Sequence, residues 1–147
     1  MNRRLLPVLV LCLLAVGADK DDANKKDLEK MQGDWAALSM VVDGEKLPDD
    51  EAQSLFRTIK DNQYTVSRFK KAIGKGSFKL DATKKPKTID ATPVVAGQEV
   101  KPMLGIYELD ADKLKLCFAR PGQPRPTDFS AKEDSGHTLT VWEREKK

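Results

Sequence analysis

The sequence predicts an all-β domain, an antiparallel up-and-down β-barrel of about eight strands with a short N-terminal helix and a short capping helix. Short runs with alternating apolar and polar side chains recur along the chain. Turn-forming Gly, Asp, Asn and Pro residues separate these runs at short intervals, as expected of hairpins. Closing such a sheet into a barrel removes the edges that an open sheet of eight or nine strands would expose.

Residues 1–18 are predicted to be a cleaved export signal. Arg3 and Arg4 give the start a positive charge, the 12 residues of 5–16 form an apolar run, and small residues precede a cleavage point after Ala18. The apolar run is too short for a transmembrane helix. We therefore expect no membrane span after cleavage and an extracytoplasmic location, either periplasmic or secreted.

The composition of the remaining chain fits one exported domain of modest size. Removal of residues 1–18 leaves 129 of the 147 residues, with 24 basic against 23 acidic side chains and Cys117 as the only cysteine. The near-neutral charge does not indicate a nucleic acid or an anionic membrane as partner. A lone cysteine would exclude an intramolecular disulfide, and we expect Cys117 to be an inert sheet residue.

The elements follow in order along the chain. Residues 19–26 are highly charged and lack apolar periodicity, so we predict a disordered leader, with the domain occupying residues 27–147. Leu28 and Met31 are spaced for one face of a short helix. Residues 48–51, a proline followed by three acidic residues, are typical of the start of a second short helix. The predicted strands are residues 35–42, 56–60, 63–69, 76–80, 87–92, 104–109, 113–118, 127–131 and 138–144.

Alternation within these strands predicts which side chains face the interior. In residues 113–118 apolar side chains alternate with lysines, which indicates one buried face and one solvated face. In the last strand, the same rule predicts Leu139 and Val141 inside. The interior-facing residues that we expect to contact a ligand are Tyr64, Ile106, Leu114, Leu116 and Phe118.

The most distinctive loop is residues 120–126, in which three prolines stiffen the chain and Arg120 and Arg125 project. A rigid loop at the rim of a barrel is a suitable recognition surface, which makes both arginines candidate ligand-binding residues. The alternative is that the prolines hold a crossover between strands. The functional interpretation predicts that both arginines face the same opening.

Several segments in a fixed order, between Leu28 and Glu145, carry a resemblance to a known family. They include Met31-Gln32-Gly33-Asp34-Trp35, Leu104-Gly105-Ile106-Tyr107-Glu108-Leu109 and Arg125-Pro126-Thr127-Asp128-Phe129. The chain resembles the uncharacterised lipocalin-like family of small exported domains found mainly in planctomycete bacteria. The resemblance implies a lipocalin-like barrel and brings no established activity, cofactor or catalytic residue.

The segment Gly33-Asp34-Trp35 has the Gly-x-Trp form that opens the first strand in lipocalins. In lipocalins an arginine from the last strand lies across this indole, and Arg144 is the matching residue here. The resemblance therefore implies a barrel closed at one end by Gly33, Trp35 and Arg144, with a stacking energy of about 0.5 to 2 kcal/mol. The alternative is an ordinary core tryptophan beside an ordinary surface arginine.

Catalysis finds little support in the sequence. With His137 as the only histidine and Cys117 as the only cysteine after cleavage, the usual metal cluster and a pair of imidazoles are both excluded. Carboxylates such as Asp90, Glu108 and Asp128 are predicted to be solvated. We therefore expect no enzyme activity, no catalytic residues, no metal and no cofactor.

Two kinds of function remain for an exported barrel that we expect to be monomeric. One is carriage or sensing of a small apolar or amphipathic ligand, an interpretation that depends mainly on the fold. The other is a cell-envelope module with a filled barrel, whose surface contacts another protein or a polymer. An eight-stranded barrel is just wide enough to be filled by side chains or to hold one small ligand. An enclosed apolar cavity of about 300 Å³ or more would favour the ligand.

Overall fold

The computed structural model describes residues 15–146, so most of the predicted signal of residues 1–18 lies outside the described residues. Within this range are two helices, α1 (Ala15–Met31) and α2 (Asp49–Ala52), and neither has the length and apolarity that a membrane crossing requires. The ten strands of the same range are β1 (Gly33–Val42), β2 (Glu45–Lys46), β3 (Leu55–Lys60), β4 (Gln63–Arg68), β5 (Lys71–Asp81), β6 (Lys87–Val95), β7 (Gln98–Glu99), β8 (Met103–Leu109), β9 (Lys113–Phe118) and β10 (Thr138–Arg144).

Eight of these strands form a closed antiparallel barrel, which confirms the predicted all-β, lipocalin-like fold. Their order is β1-β3-β4-β5-β6-β8-β9-β10, and β10 pairs back onto β1 from Trp35 with Arg144 to Val42 with Thr138. The two-residue strands β2 and β7 each form a short antiparallel hairpin with the preceding strand, β1 and β6 respectively. Closure pairs both edges of the sheet, which removes the sites where another chain could add a strand.

Residues 127–131 do not form a strand, contrary to the prediction. After β9 the chain reaches β10 through residues 119–137, a crossing segment without strands that lies against the outside of the barrel. The Cys117 thiol donates to the Ser130 carbonyl (3.5 Å), and Arg125 reaches the backbone of β6 and β8. Ala119, Pro126 and Ala131 of this segment are buried and Phe129 is half-buried, because the segment covers the sheet without pairing within it.

Strand β10 is turned the opposite way from its predicted orientation. Thr140 and Trp142 face the interior and are buried, whereas Leu139 and Val141 lie half-buried on the outer face. The register explains this inversion, since Trp142 pairs with Leu114 of β9, whose side chain is also inside. Tryptophan buries more surface than either aliphatic residue, so its placement decides which face is inside.

Helix α1 includes residues 19–26, for which the sequence predicts a disordered leader. Polar side chains dock this part of the helix on the connection between β5 and β6. The backbone N–H of Ala82 donates to Asn24 Oδ1 (2.7 Å), and Lys20 pairs with Asp81 (3.2 Å). Hydrophobic periodicity could not reveal these contacts, because polar groups make them with a distant segment of the chain.

Apolar and aromatic side chains fill the interior of the barrel. At one end, which we call the closed end, the last turn of α1 places Met31 against Trp35. At the other, which we call the open end, the β4–β5 and β6–β7 hairpins project. The buried cluster inside consists of Met31, Trp35, Ala37, Leu55, Ile59, Tyr64, Phe78, Ile89, Ala91, Tyr107, Leu114, Leu116, Phe118 and Trp142.

Candidate functional site

A charged side chain lies inside the barrel among these apolar residues. Arg57 stands between Leu55 and Ile59 in the alternation of β3, and only 9% of its surface is exposed. Alternate residues of a strand share one face, so the pattern that buries the two aliphatic neighbours also buries the guanidinium.

Two aromatic rings flank the Arg57 guanidinium. Its central carbon lies 4.8 Å from the ring centroid of Tyr64 and 5.3 Å from that of Trp142. Cation–π attraction offsets part of the cost of removing the charge from water. Burial lowers the pKa of Arg57 to about 10, against a smaller opposing influence of Tyr64. The guanidinium therefore remains charged at neutral pH.

This charge has no acidic partner among the described residues. Arg57 takes part in none of the ion pairs found in that part of the chain, and its Nε is buried without a hydrogen-bond acceptor. Trp142 Nε1 is a second buried donor without an acceptor in the same range. Buried donors are paired in most protein cores, so the barrel interior lacks a hydrogen-bond acceptor for these two donors.

Two glycines make room for aromatic rings inside the barrel. A Cβ atom at Gly76 would lie 2.7 Å from the Tyr64 hydroxyl, and one at Gly105 would lie 2.5 Å from Phe118. Both distances are too short for carbon, so glycine at these positions lets each ring lie over its directly paired residue on the adjacent strand. The space around Arg57 is therefore shaped by backbone as well as by side chains.

The structure places four of the five predicted interior residues together. Ile106 is the exception, since it lies on the outer face of β8, opposite Cys117 of β9. It is buried there beneath the crossing segment. The four that belong to the interior cluster are Tyr64, Leu114, Leu116 and Phe118.

The two arginines of the proline-rich loop do not share an opening. Arg120 is largely exposed and pairs with Asp43 (3.7 Å), in the turn after β1. Arg125 pairs with Asp90 (2.7 Å), and its Nη1 donates to the backbone carbonyls of Ile89 in β6 (3.3 Å) and Gly105 in β8 (2.7 Å). This geometry favours the structural interpretation, in which the loop fastens the crossing segment to the barrel wall.

At the closed end, Arg144 lies across the ring of Trp35, with its guanidinium carbon 4.3 Å from the ring centroid. Gly33, with φ of 114°, leaves a path for this side chain, since a Cβ there would lie 3.3 Å from Arg144 Nη1. All three guanidinium nitrogens donate to backbone carbonyls, those of Lys30, Gln32 and Ala111. Arg144 thus joins the end of α1 to the first and last strands.

Asp27 fastens α1 to the same end. Its carboxylate accepts hydrogen bonds from the Tyr107 hydroxyl (2.7 Å) and from Lys87 Nζ (2.8 Å), and the residue is buried. Burial, together with the hydrogen bond to Asp27, raises the pKa of Tyr107. The tyrosine therefore stays protonated and continues to donate to the carboxylate across the ordinary pH range.

The five cavities described are clefts at the surface of the barrel. The largest, about 540 Å³, lies between the β1–β2 turn and residues 133–134, and the others measure about 250 to 400 Å³. None of these five is lined by Arg57, Tyr64 or Trp142. These five clefts therefore do not provide the enclosed apolar cavity that would favour a ligand inside the barrel.

Sequence analysis does not identify Arg57 as a site residue, although its signal is present. Apolar residues stand two positions before and two positions after it, and the alternation rule places all three on one face. The residue type opposes that placement, because arginine is rarely buried without a partner. A basic residue at an inward-facing position of a barrel strand is thus the sequence pattern that would indicate this site.

Comparison with known proteins supplies no relative for this site. No family model, no curated protein and no solved structure matches the chain. Over residues 15–146, no group of three or more His, Cys, Asp and Glu side chains is placed to hold a metal ion. The site is therefore defined by its own geometry.

Proposed function

We propose that the barrel binds a small amphipathic anion, whose acidic group pairs with Arg57. The observation that carries this proposal is the burial of Arg57 without an acidic partner in the described chain. An isolated buried charge is costly, and proteins neutralise it with an opposite charge. A carboxylate, sulfonate or phosphate group supplies the negative charge, together with the acceptors that Arg57 Nε and Trp142 Nε1 lack.

The surroundings favour a ligand that also has an apolar part. Leu116 and Phe118 belong to the interior cluster, and Met40 and Met103 pack against it nearer the open end. Methionine side chains are flexible and fill irregular space, so they can move aside for a tail. The proposed ligand is therefore a small acid with a hydrophobic body, bound without chemical turnover.

Fluorescence titration with 1-anilinonaphthalene-8-sulfonate tests this proposal, and N-phenyl-1-naphthylamine is the matched probe without the sulfonate. We expect Arg57→Met to lower the affinity for the sulfonate probe about 30-fold, since a charge-assisted hydrogen bond contributes about 2 kcal/mol. Binding of the neutral probe should change little. Equal sulfonate affinities of Arg57→Met and the unmodified protein would contradict the proposal.

The control variant is Lys79→Met, which removes an exposed cation from the outer face of β5. We expect it to bind both probes as the unmodified protein does. A thermal unfolding curve for each variant shows whether a loss of binding reflects a loss of folding.

The aromatic and aliphatic side chains inside the barrel support a second candidate, an envelope interaction module with a filled barrel. None of the five clefts is lined by the side chains around Arg57. Native mass spectrometry of protein recovered from its own host separates the two candidates. A stoichiometric small acid released on denaturation supports carriage, whereas a bare chain or a chain with a protein partner supports the module.

We also propose that the protein acts outside the cytoplasm, as in the exported lipocalin-like family that it resembles. The charged start, apolar run and small residues of residues 1–18 support this proposal. The test is the mass of the protein recovered from an exporting host. A chain that begins at Asp19 supports export, and an uncleaved chain in the cytoplasm contradicts it.

A further inference from the structure

The hairpin between β4 and β5 presents two apolar side chains to solvent at the open end. Phe69 is 72% exposed and Ile73 is 60% exposed, more than the other large apolar residues with described burial. Phe69 and Lys70 form the two-residue turn, with positive φ angles of 47° and 66°. Asn and Gly suit such turns best, so turn formation does not account for a phenylalanine there.

The same hairpin is strongly basic. Residues 68–75 contain four cationic side chains and no acidic one, and all eight residues are exposed. None of the four takes part in an ion pair with the described part of the chain. These side chains are Arg68, Lys70, Lys71 and Lys75.

The neighbouring hairpin continues this surface. Strand β5 pairs with β6 up to Gly76 and Pro93, so the β6–β7 hairpin projects beside the β4–β5 hairpin. It carries Val95, which is 58% exposed, and the exposed residues Val100 and Lys101. This hairpin therefore adds apolar side chains to the same side of the open end, while its exposed Glu99 and Lys101 cancel in charge, so the positive charge comes from residues 68–75.

The opposite side of the open end has the opposite charge. The strand order places β1 across the barrel from β6. The cleft beside the turn after β1 is lined by Asp43, Glu45, Glu133 and Asp134. The mouth of the barrel is thus basic and apolar at the β4–β5 hairpin, whereas the cleft near β1 carries four acidic side chains, one of which, Asp43, pairs with Arg120.

We propose that the two hairpins, residues 68–75 and 94–101, dock on the surface of an anionic lipid bilayer. Apolar side chains beside lysines match an interface in which headgroups are anionic and acyl chains lie just beneath. The near-neutral charge of residues 19–147 does not oppose this, because screening leaves only the charges within about 10 Å of the membrane effective. Phe69 and Ile73 enter the interface, the acidic side is held away, and the open end meets the bilayer.

Vesicle flotation tests the docking, with phosphatidylglycerol–phosphatidylcholine vesicles compared with pure phosphatidylcholine. The ratio of the affinities for the two kinds of vesicle measures the preference for anionic lipid. All variants have the same N-terminal residues, so a change in this ratio is due to the substituted residues. We expect Lys70→Gln/Lys71→Gln to lower that ratio about 25-fold, because each lysine near an anionic surface contributes about fivefold to binding. Phe69→Asn, which suits the turn, should lower affinity for the anionic vesicles about tenfold.

The matched control is Lys84→Gln/Lys85→Gln, which removes two exposed lysines from the connection between β5 and β6, at the closed end. We expect it to bind vesicles as the unmodified protein does. An equal loss in this control, or equal binding of the unmodified protein to both kinds of vesicle, would overturn the proposal. Full binding of Phe69→Asn would also overturn it and would indicate a simple polyanion site.

The docking does not depend on the ligand proposed for the barrel. We expect Arg57→Met to bind anionic vesicles as the unmodified protein does, because Arg57 lies inside the barrel. Loss of probe binding in Arg57→Met with intact vesicle binding would therefore leave the docking supported. Sulfonate-probe binding by the unmodified protein without a preference for anionic vesicles would overturn the docking alone.

Discussion

Two arginines stack on tryptophan in this barrel, and their surroundings differ. At the closed end, Arg144 lies over Trp35, its three nitrogens donate to backbone carbonyls, and Trp35 Nε1 donates to the Met31 carbonyl (2.9 Å). Inside the barrel, Arg57 lies beside Trp142, and Nε of the first and Nε1 of the second have no acceptor among the described residues. The same two residue types form a satisfied pair in one place and an unsatisfied pair in the other.

This difference matches a structural role for Arg144 and the binding role that we propose for Arg57. Satisfied hydrogen bonds and stacking stabilise the folded chain by themselves. Buried donors without acceptors destabilise it, and such a cost is typical of sites that a ligand completes. Removal of the two arginines should therefore change the free energy of unfolding in opposite directions.

Arg144→Met should have the largest effect and should lower the free energy of unfolding by about 3 kcal/mol, because the stack and three hydrogen bonds are lost together. Urea denaturation measures this change. Arg144→Lys keeps the charge but cannot reach three carbonyls, so we expect it to recover only a minor part. A loss below about 0.5 kcal/mol for Arg144→Met would show that the closed end does not depend on this contact.

Asp27→Ala should lower the free energy of unfolding by about 2 kcal/mol, because the Tyr107 hydroxyl then stays buried without an acceptor. A cycle with Tyr107→Phe checks the reason for this loss. The double variant should be more stable than the sum of the single losses predicts. Additive losses would mean that Asp27 fastens α1 mainly through Lys87.

Arg57→Met should raise the free energy of unfolding by about 1 kcal/mol, because an apolar side chain of similar length replaces an unpaired buried charge. Urea denaturation without added anion measures this difference. Lys79→Met, on the outer face, should change stability by less than about 0.5 kcal/mol. Destabilisation by Arg57→Met would show that Arg57, like Arg144, has a structural role, and the proposed contrast between the two arginines would be wrong.

The last prediction concerns the pH dependence of probe binding. Arg57 has a pKa of about 10 and pairs with an anion only when it is charged. Its contribution to sulfonate-probe affinity should therefore be fully present at neutral pH and lost as the pH rises through about 10. We expect about a twofold loss of affinity at the pKa and, well above it, a loss that approaches the roughly 30-fold effect of Arg57→Met. The neutral probe corrects for any change in the folded fraction. Unchanged sulfonate affinity at pH 11.5 in a folded protein would argue against Arg57 as the partner.

The candidate site was accessible to sequence reasoning only in part. Alternation correctly places Tyr64, Leu116 and Phe118 inside, because inward and outward positions follow a local period of two. The same rule includes Arg57, but the low frequency of buried arginine argues against applying it there. Ile106 shows the converse case, since a covering loop buries the outer face of β8 and makes an outward residue apolar.

The sequence by itself determined the fold class, the approximate strands and most turns, because these depend on preferences and periods within a few neighbouring residues. The tertiary structure alone decided the face that β10 buries, the docking of residues 19–26 and the absence of a described partner for Arg57. Each of these depends on which distant residues become neighbours when the barrel closes. A buried charge is recognised as unsatisfied only after every group that could reach it has a position.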